Sequence, residues 1–101
     1  MGKIQVEIPK EEIAAFCKRN HIRKFSLFGS VLRDDFRPES DIDVLVEFDT
    51  DAKISLFDLI DMEEELASIL GRKVDLIEAS SLRNPFRRYE ILRTQQVIYD
   101  V

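Results

Sequence analysis

The sequence predicts an α+β (α/β) fold, in which a small mixed β-sheet has helices packed on one face. Short apolar segments with strand character alternate along the chain with longer segments whose apolar residues recur at helical spacing. The 101 residues suit a single domain, 1–101, of ordinary size. Apolar residues make up 45% of the chain and charged residues 35%, which is typical of a folded domain with one core.

The N-terminal half is predicted to hold one helix among strands. Residues 3–8 alternate polar and apolar side chains, as a short edge strand does. Pro9 suits the first turn of a helix, where its missing N–H costs nothing. Ile13, Phe16 and Cys17 then form an apolar stripe along this helix. The helix is predicted to end near Asn20, and strands are predicted at 24–28 and 42–48.

A long helix is predicted in the next part of the chain, from about Ser55 to Leu70. Gly71 is a natural stop for it, because glycine readily adopts the left-handed conformation that ends many helices. A strand is predicted at 73–78. The apolar stripe of the long helix consists of Leu56, Leu59, Ile60, Leu66, Ile69 and Leu70, and its acidic residues, Asp61, Glu63, Glu64 and Glu65, are interpreted as a solvated face.

The last predicted helix ends near Thr94. Ser80 or Ser81 can cap its first turn, and a restart at Asn84-Pro85 is the alternative. Residues 96–101 are predicted to be a short strand or a tail.

Charge is distributed unevenly around a net value of −5. Residues 34–65 hold thirteen acidic and two basic residues, whereas both ends of the chain are mildly basic. Such an acidic block repels phosphate unless metal ions bridge it, so direct nucleic-acid binding is not expected. The apolar runs are far too short for a membrane span, and the single Cys17 excludes an internal disulfide. These features favour a reducing cytoplasm and leave a homo-oligomer open.

Two aspartates at the start of the strand at 42–48 are the first candidate for chemistry. Residues two apart on a strand point the same way, so Asp41 and Asp43 share one face. Mg²⁺ prefers oxygen ligands and is commonly held by one or two carboxylates together with substrate phosphates. Ile42, Val44, Val46 and Phe48 share the opposite face and are predicted to meet the helices.

Asp75 repeats this pattern in the next strand, where Val74 and Leu76 are predicted to face the core. If the two strands are neighbours, three carboxylates share one face of the sheet. Two Mg²⁺ ions would relieve their repulsion and create a site for phosphoryl transfer. The third carboxylate could also take a proton from an attacking hydroxyl.

Gly29 and Ser30, at the end of the preceding strand, supply a candidate phosphate site. Glycine lets the backbone approach a ligand closely, and the free N–H groups of a helical turn suit phosphate. Arg33, one turn later, could contact phosphate or fix the acidic loop, and Ser40 could orient Asp41. Each signal alone is weak, since most Gly-Ser pairs are turns, but the combination is specific.

The segment "FGSVLRDDFRPESDIDVLVEF" resembles the signature of the minimal nucleotidyltransferases (MNT) of the DNA polymerase β-like superfamily. The likeness covers about residues 9–99 and includes "LGRKVDLIEASSLRNPFRRYEIL". It implies the nucleotidyltransferase fold, with Gly29 and Ser30 holding a nucleoside triphosphate and Asp41, Asp43 and Asp75 acting as catalytic metal ligands. Leu32 and Asp34 depart from the family, which often has Ala and Gly there.

The resemblance also implies a reaction and a partner. Family members use ATP and Mg²⁺ to transfer a nucleoside monophosphate to a hydroxyl. Many small members are antitoxins of HEPN–MNT toxin–antitoxin pairs, in which the acceptor is thought to be a tyrosine of the HEPN ribonuclease toxin. The alternative is a non-catalytic antitoxin that neutralises its partner by contact. A transferase acting on small molecules is less favoured, because such enzymes usually carry an added substrate domain.

Several residues have less specific interpretations. His21 is interpreted as structural or solvated, and Phe57 and Phe86 as core or interface aromatics. Tyr89 and Tyr99 are interpreted as packing residues rather than nucleotide acceptors. The arginines of the last helical segment favour a solvated face over nucleotide or partner contact, namely Arg83, Arg87, Arg88 and Arg93.

Overall fold

The computed structural model describes residues 7–32, apart from the side chain of Ser30, and residues 40–101. These residues form an α+β domain with one four-stranded mixed sheet and three α-helices. The predicted fold class is therefore confirmed. In chain order the elements are α1 (Lys10–Arg19), β1 (Ile22–Phe28), a 3-10 turn (Gly29–Leu32), β2 (Ile42–Phe48), α2 (Leu56–Leu70), β3 (Val74–Glu78), a second 3-10 turn (Ala79–Ser81), α3 (Pro85–Thr94) and β4 (Gln96–Asp100).

The strands lie in the order β3-β2-β1-β4. β1 pairs antiparallel with β2 and with β4, whereas β2 and β3 run parallel. α2 provides the crossover that a parallel pair requires. β2 therefore has a paired neighbour on each side, which fixes both ends of the strand that carries the aspartates.

The main core lies between one face of the sheet and helices α1 and α2. Ile42, Val44 and Val46 of β2 are fully buried in it, as the alternation predicted. The stripe of α1 meets them, since Ile13, Phe16 and Cys17 are also fully buried. Phe48, Leu76 and Tyr99 pack at the margins of this core.

The predicted apolar stripe of α2 is wrong in its first turns. Leu56 and Ile60 are exposed, and the buried residues of the helix are Met62 and Leu66. Met62 lies close to Leu66 on the helical wheel, whereas Leu56 and Ile60 lie on a different side. Periodicity alone did not show which of these neighbouring stripes faces the sheet.

α3 differs from the other helices in the face that it covers. Its one buried residue, Ile91, belongs to a second small cluster with Phe28, Leu45, Ala79 and Leu82. Leu45 alternates with Val44 and Val46, so this cluster lies on the face of the sheet opposite α1 and α2. The one-face prediction thus describes only α1 and α2, because Leu45 gives the other face an apolar residue that also requires cover.

The helix ends follow local chemistry. Ser55 caps α2 through a capping box with Asp58, and Gly71 ends α2 in the left-handed conformation, with φ +69°. Asn84 caps α3 by accepting hydrogen bonds from the N–H groups of Phe86 and Arg87 at 2.9 and 3.2 Å. The prediction of a cap at Ser80 or Ser81 is therefore wrong, and the restart at Asn84-Pro85 is right.

Other predictions have mixed outcomes. β1 begins at Ile22 rather than at residue 24, and residues 96–100 form a strand. Phe57 and Phe86 are exposed, which excludes the core alternative for both. The strand at 3–8 lies largely outside the described residues. No helix in the described part of the chain is both long and apolar enough to cross a bilayer.

Candidate active site

Asp43 lies in the middle of the sheet, opposite a residue on each neighbouring strand. Its register partners are Phe28 of β1 and Asp75 of β3. Neighbouring strands are about 4.8 Å apart, so Asp43 and Asp75 are adjacent. Because Ile42 and Val74 point into the main core, both carboxylates lie on the opposite face. The structure thus brings two of the predicted aspartates together.

Asp41 lies just before β2 and is exposed. Two residues of extended chain place it about 7 Å along the strand from Asp43. The start of β2 is anchored to β3, because the N–H of Ile42 donates to the carbonyl oxygen of Lys73 at 2.9 Å. Asp41 therefore lies at a fixed edge of the sheet, beside the half-buried Ser40.

Gly29 forms the third side of the site. Its φ of +75° lies in the left-handed region, which glycine adopts without strain. A Cβ at this position would lie 3.3 Å from Cγ of Asp43 and would collide with the Oδ2 atom of that carboxylate. The backbone of Gly29 and the carboxylate of Asp43 are therefore in direct contact, and any side chain at residue 29 would displace Asp43.

The 3-10 turn that begins at Gly29 confirms the predicted helical turn. Val31 and Leu32 of this turn are buried in the main core. The bulk of Leu32, which departs from the family pattern, is thus accommodated by the core. Asp34, the second departure from the family pattern, lies outside the described residues, and the predicted roles of Arg33 and the hydroxyl of Ser30 fall outside the described atoms and stay predictions.

The carboxylates fit a divalent cation as a pair. Among residues 7–32 and 40–101, no group of three Asp, Glu, His or Cys side chains is arranged to hold a metal ion. Three like charges repel each other, whereas Mg²⁺ requires only one or two carboxylates when phosphate oxygens complete its shell. Asp43 and Asp75 supply such hard oxygen donors, with Asp41 at the edge of the pair.

Glu63 joins α2 to β3, a contact that its place in the sequence does not predict. Its Oε2 accepts a hydrogen bond from the N–H of Leu76 at 3.0 Å, so α2 is tied to β3 next to Asp75. β3 is an edge strand, and this carboxylate satisfies one of its outward backbone donors. Its acidic neighbours predict a solvated face for Glu63, and only the packing of α2 against β3 shows that its carboxylate is bonded to the backbone of β3.

A groove of about 490 Å³ lies at the far end of β1 and β2. Arg23, Lys24 and Arg88 line it together with Glu47 and Glu78. Glu47 lies on the same face of β2 as Asp43, but the buried Leu45 lies between them. The groove is therefore separate from the carboxylate pair.

Comparison with known proteins shows the family of this chain. The model of a family described as "Nucleotidyltransferase domain" matches residues 10–98. The protein adenylyltransferase MntA of Thermococcus cleftensis is 37% identical over 82 residues, which are 81% of this chain and 78% of that protein.

Two solved structures share the fold. One is a toxin–antitoxin with AMP-PNP, with a TM-score of 0.74 and 20% identity, covering 93% of this chain and 75% of that one. The other is the MNT antitoxin in complex with the tri-AMPylated HEPN toxin of Shewanella oneidensis, with a TM-score of 0.65 and 20% identity, covering 91% of this chain and 70% of that one.

Proposed function

The chain belongs to the nucleotidyltransferase domain family and is an enzyme of that class, and from this premise we propose that it transfers AMP from ATP to a hydroxyl of a partner protein. The observation that carries the proposal is that Asp43 lies beside Asp75 on the neighbouring strand and against Gly29 on its other side. The adenylyltransferase from Thermococcus, at 37% identity, supports the choice of reaction.

Each residue of the site has a role in this proposal. Gly29 leaves room for the carboxylate of Asp43, and its backbone is proposed to contact the triphosphate together with Ser30, Arg33 and Ser40. Asp43 and Asp75 would hold Mg²⁺, with Asp41 as a further ligand from the edge of the pair, and two ions are proposed. When bound, Mg²⁺ neutralises phosphate charge and stabilises the attacking and leaving oxygens.

The proposed transfer replaces one bond to the α-phosphorus by another. The acceptor oxygen forms a bond to the α-phosphorus, the bond from that phosphorus to the bridging oxygen breaks, and pyrophosphate leaves. The acceptor hydroxyl loses its proton in this step, and Asp75 is the proposed base. Its neighbour Asp43 would hold the cation that offsets the negative charge of the phosphate beside the hydroxyl.

The proposed acceptor is a tyrosine of a HEPN-type ribonuclease toxin, and the chain is proposed to act as its antitoxin in the cytoplasm. The neighbouring structure of an MNT antitoxin with a tri-AMPylated HEPN toxin supports this partner. The acidic block at 34–65 also favours a basic partner surface. No second substrate domain is present among the described residues.

Neutralisation by contact alone is the second candidate. The observation in its favour is that one structural neighbour is a complex of an MNT antitoxin with a HEPN toxin, in which contact alone could block the toxin. A binding antitoxin would require stoichiometric amounts, whereas an enzyme would act repeatedly.

The deciding experiment incubates the partner with a sub-stoichiometric amount of this chain, ATP and Mg²⁺, followed by intact-mass spectrometry. If the chain transfers AMP, the partner should become inactive and should carry additions of about 329 Da each, the mass of a transferred AMP group. The double variant Asp41→Asn plus Asp43→Asn should abolish both effects. If that variant still neutralises the partner fully, and only at equal or higher ratios, contact is the mechanism.

A further inference from the structure

α3 is poorly covered for a helix of a small domain. Only Ile91 of its ten residues is buried. Phe86, 85% exposed, and Tyr89 lie on the outer side with Leu92 at its margin. Helices in proteins derive most of their stability from packing an apolar face, and here the larger apolar side chains face solvent. We call Phe86, Tyr89 and Leu92 the α3 patch.

The surroundings of the α3 patch are basic. The segment 83–94 carries four arginines and a single acid, Glu90. Arg93 lies one turn beyond Tyr89 on the same side of the helix and is bonded to Glu90 at 2.6 Å. Arg83 and Arg87 flank Phe86 and are exposed. The α3 patch is therefore an apolar surface with a net positive rim.

A second apolar patch lies on α2 and has the opposite charge. Leu56, Phe57 and Ile60, which we call the α2 patch, are all exposed, and Phe57 is 77% exposed. Asp61 lies one turn after Phe57, and Glu64 lies one turn after Ile60, so both acids extend the same outer side of the helix. Both acids are exposed.

We propose that this chain associates with itself head to tail, with the α3 patch of one copy packed on the α2 patch of the next. Each patch presents an aromatic ring with aliphatic neighbours, and their rims have opposite charge, so the two surfaces are complementary. Pairing either patch with its own copy would bring acids against acids or arginines against arginines. The association does not depend on the proposed transfer reaction.

The placement of the two patches determines the kind of assembly. α2 covers one face of the sheet and α3 the other, so both patches of one copy are available to different neighbours. Such a heterologous contact grows into a chain or ring rather than stopping at a dimer. A stable interface usually buries about 800 Å² on each partner, and three apolar side chains on a helix supply less. The association is therefore weak and concentration-dependent.

Two variants test the geometry directly. Phe57→Asp removes the α2 patch and Phe86→Asp removes the α3 patch, and both side chains are exposed, so circular dichroism should show an unchanged fold. Sedimentation equilibrium of the wild type should give an average mass that rises with concentration above twice 11.8 kDa. Each variant alone should stay monomeric. An equal mixture of the two variants should form a heterodimer and grow no further, because the mixture has one intact pair of patches.

Val101→Asp is the matched control, since Val101 is 88% exposed and belongs to neither patch. It should associate like the wild type. A homodimer formed by either variant alone would mean a symmetric contact and would overturn the proposal. So would a wild type that stays monomeric at the highest concentration reached, even if the variants lost binding to a partner protein.

Discussion

Replacing Gly29 by alanine tests the contact on which the site depends. The new Cβ would collide with Oδ2 of Asp43. To restore ordinary van der Waals contact, the carboxylate would have to move by about 1 Å. Oδ2 is the end of a side chain that can rotate, so the collision itself costs little stability. Its consequence is a displaced carboxylate.

The size of the effect differs between stability and activity. Alanine in the left-handed conformation costs about 1–2 kcal/mol of folding free energy. A catalytic group displaced by about 1 Å can cost on the order of 100-fold in rate. Gly29→Ala should therefore lower the transfer rate far more than its loss of stability accounts for.

Gly71→Ala is the matched control for this prediction. Gly71 has nearly the same φ, +69°, but a Cβ there meets no atom within 4 Å. Both variants carry the same kind of backbone strain, and only one displaces Asp43. Urea denaturation should show similar stability losses, while AMP transfer and ATP affinity with Mg²⁺ should fall only in Gly29→Ala. Normal transfer by Gly29→Ala would refute the role given to this contact.

Three further predictions concern charge, burial and capping. ATP binding measured by calorimetry should require Mg²⁺ and should be lost in Asp43→Asn; equal affinity in chelator would contradict this. Burial raises the pKa of the Cys17 thiol from 9.0 to about 12, so the folded state retains a proton that the unfolded state loses. Stability should be unaffected by this group below pH 9 and should decline from pH 9 toward 12, a slope that denaturation of Cys17→Ala should lack. Asn84→Ala should cost about 1 kcal/mol by removing the cap of α3, whereas Ser80→Ala should cost less, as thermal melting can show.

The strands and the face of the sheet on which Asp43 lies were predictable because their signal is local. In β2 the alternation of apolar and acidic residues determines which side chains enter the core, and Ile42, Val44 and Val46 did so. The same alternation places Asp43 on the other face. A parallel neighbour with the same alternation then places Asp75 beside it. Local chemistry also predicted that β1 ends before Gly29 and α2 before Gly71, where each glycine adopts a positive φ.

The remaining features depend on contacts between distant segments. Met62 and Ile60 are both apolar, and only the packing of α2 on the sheet decides that Met62 is the buried one. Glu63 looks like its acidic neighbours until its bond to Leu76 of β3 is seen. α3 has only Ile91 to indicate its inner side, so its place on the site face of the sheet could not be inferred from periodicity.

Because of the position of α3, the packing beside Asp43 depends on the stability of one small apolar cluster. Ile91 packs with Phe28 and Leu45, and these residues flank Asp43 across the sheet and along β2. The apolar residues beside the carboxylate are thus covered by a helix with one buried residue and an asparagine cap. Segments with so few buried contacts open locally at lower free energy than the main core. A surface that covers the outer side of α3, whether a second copy or a partner, would stabilise this helix and, through Ile91, the packing beside Asp43.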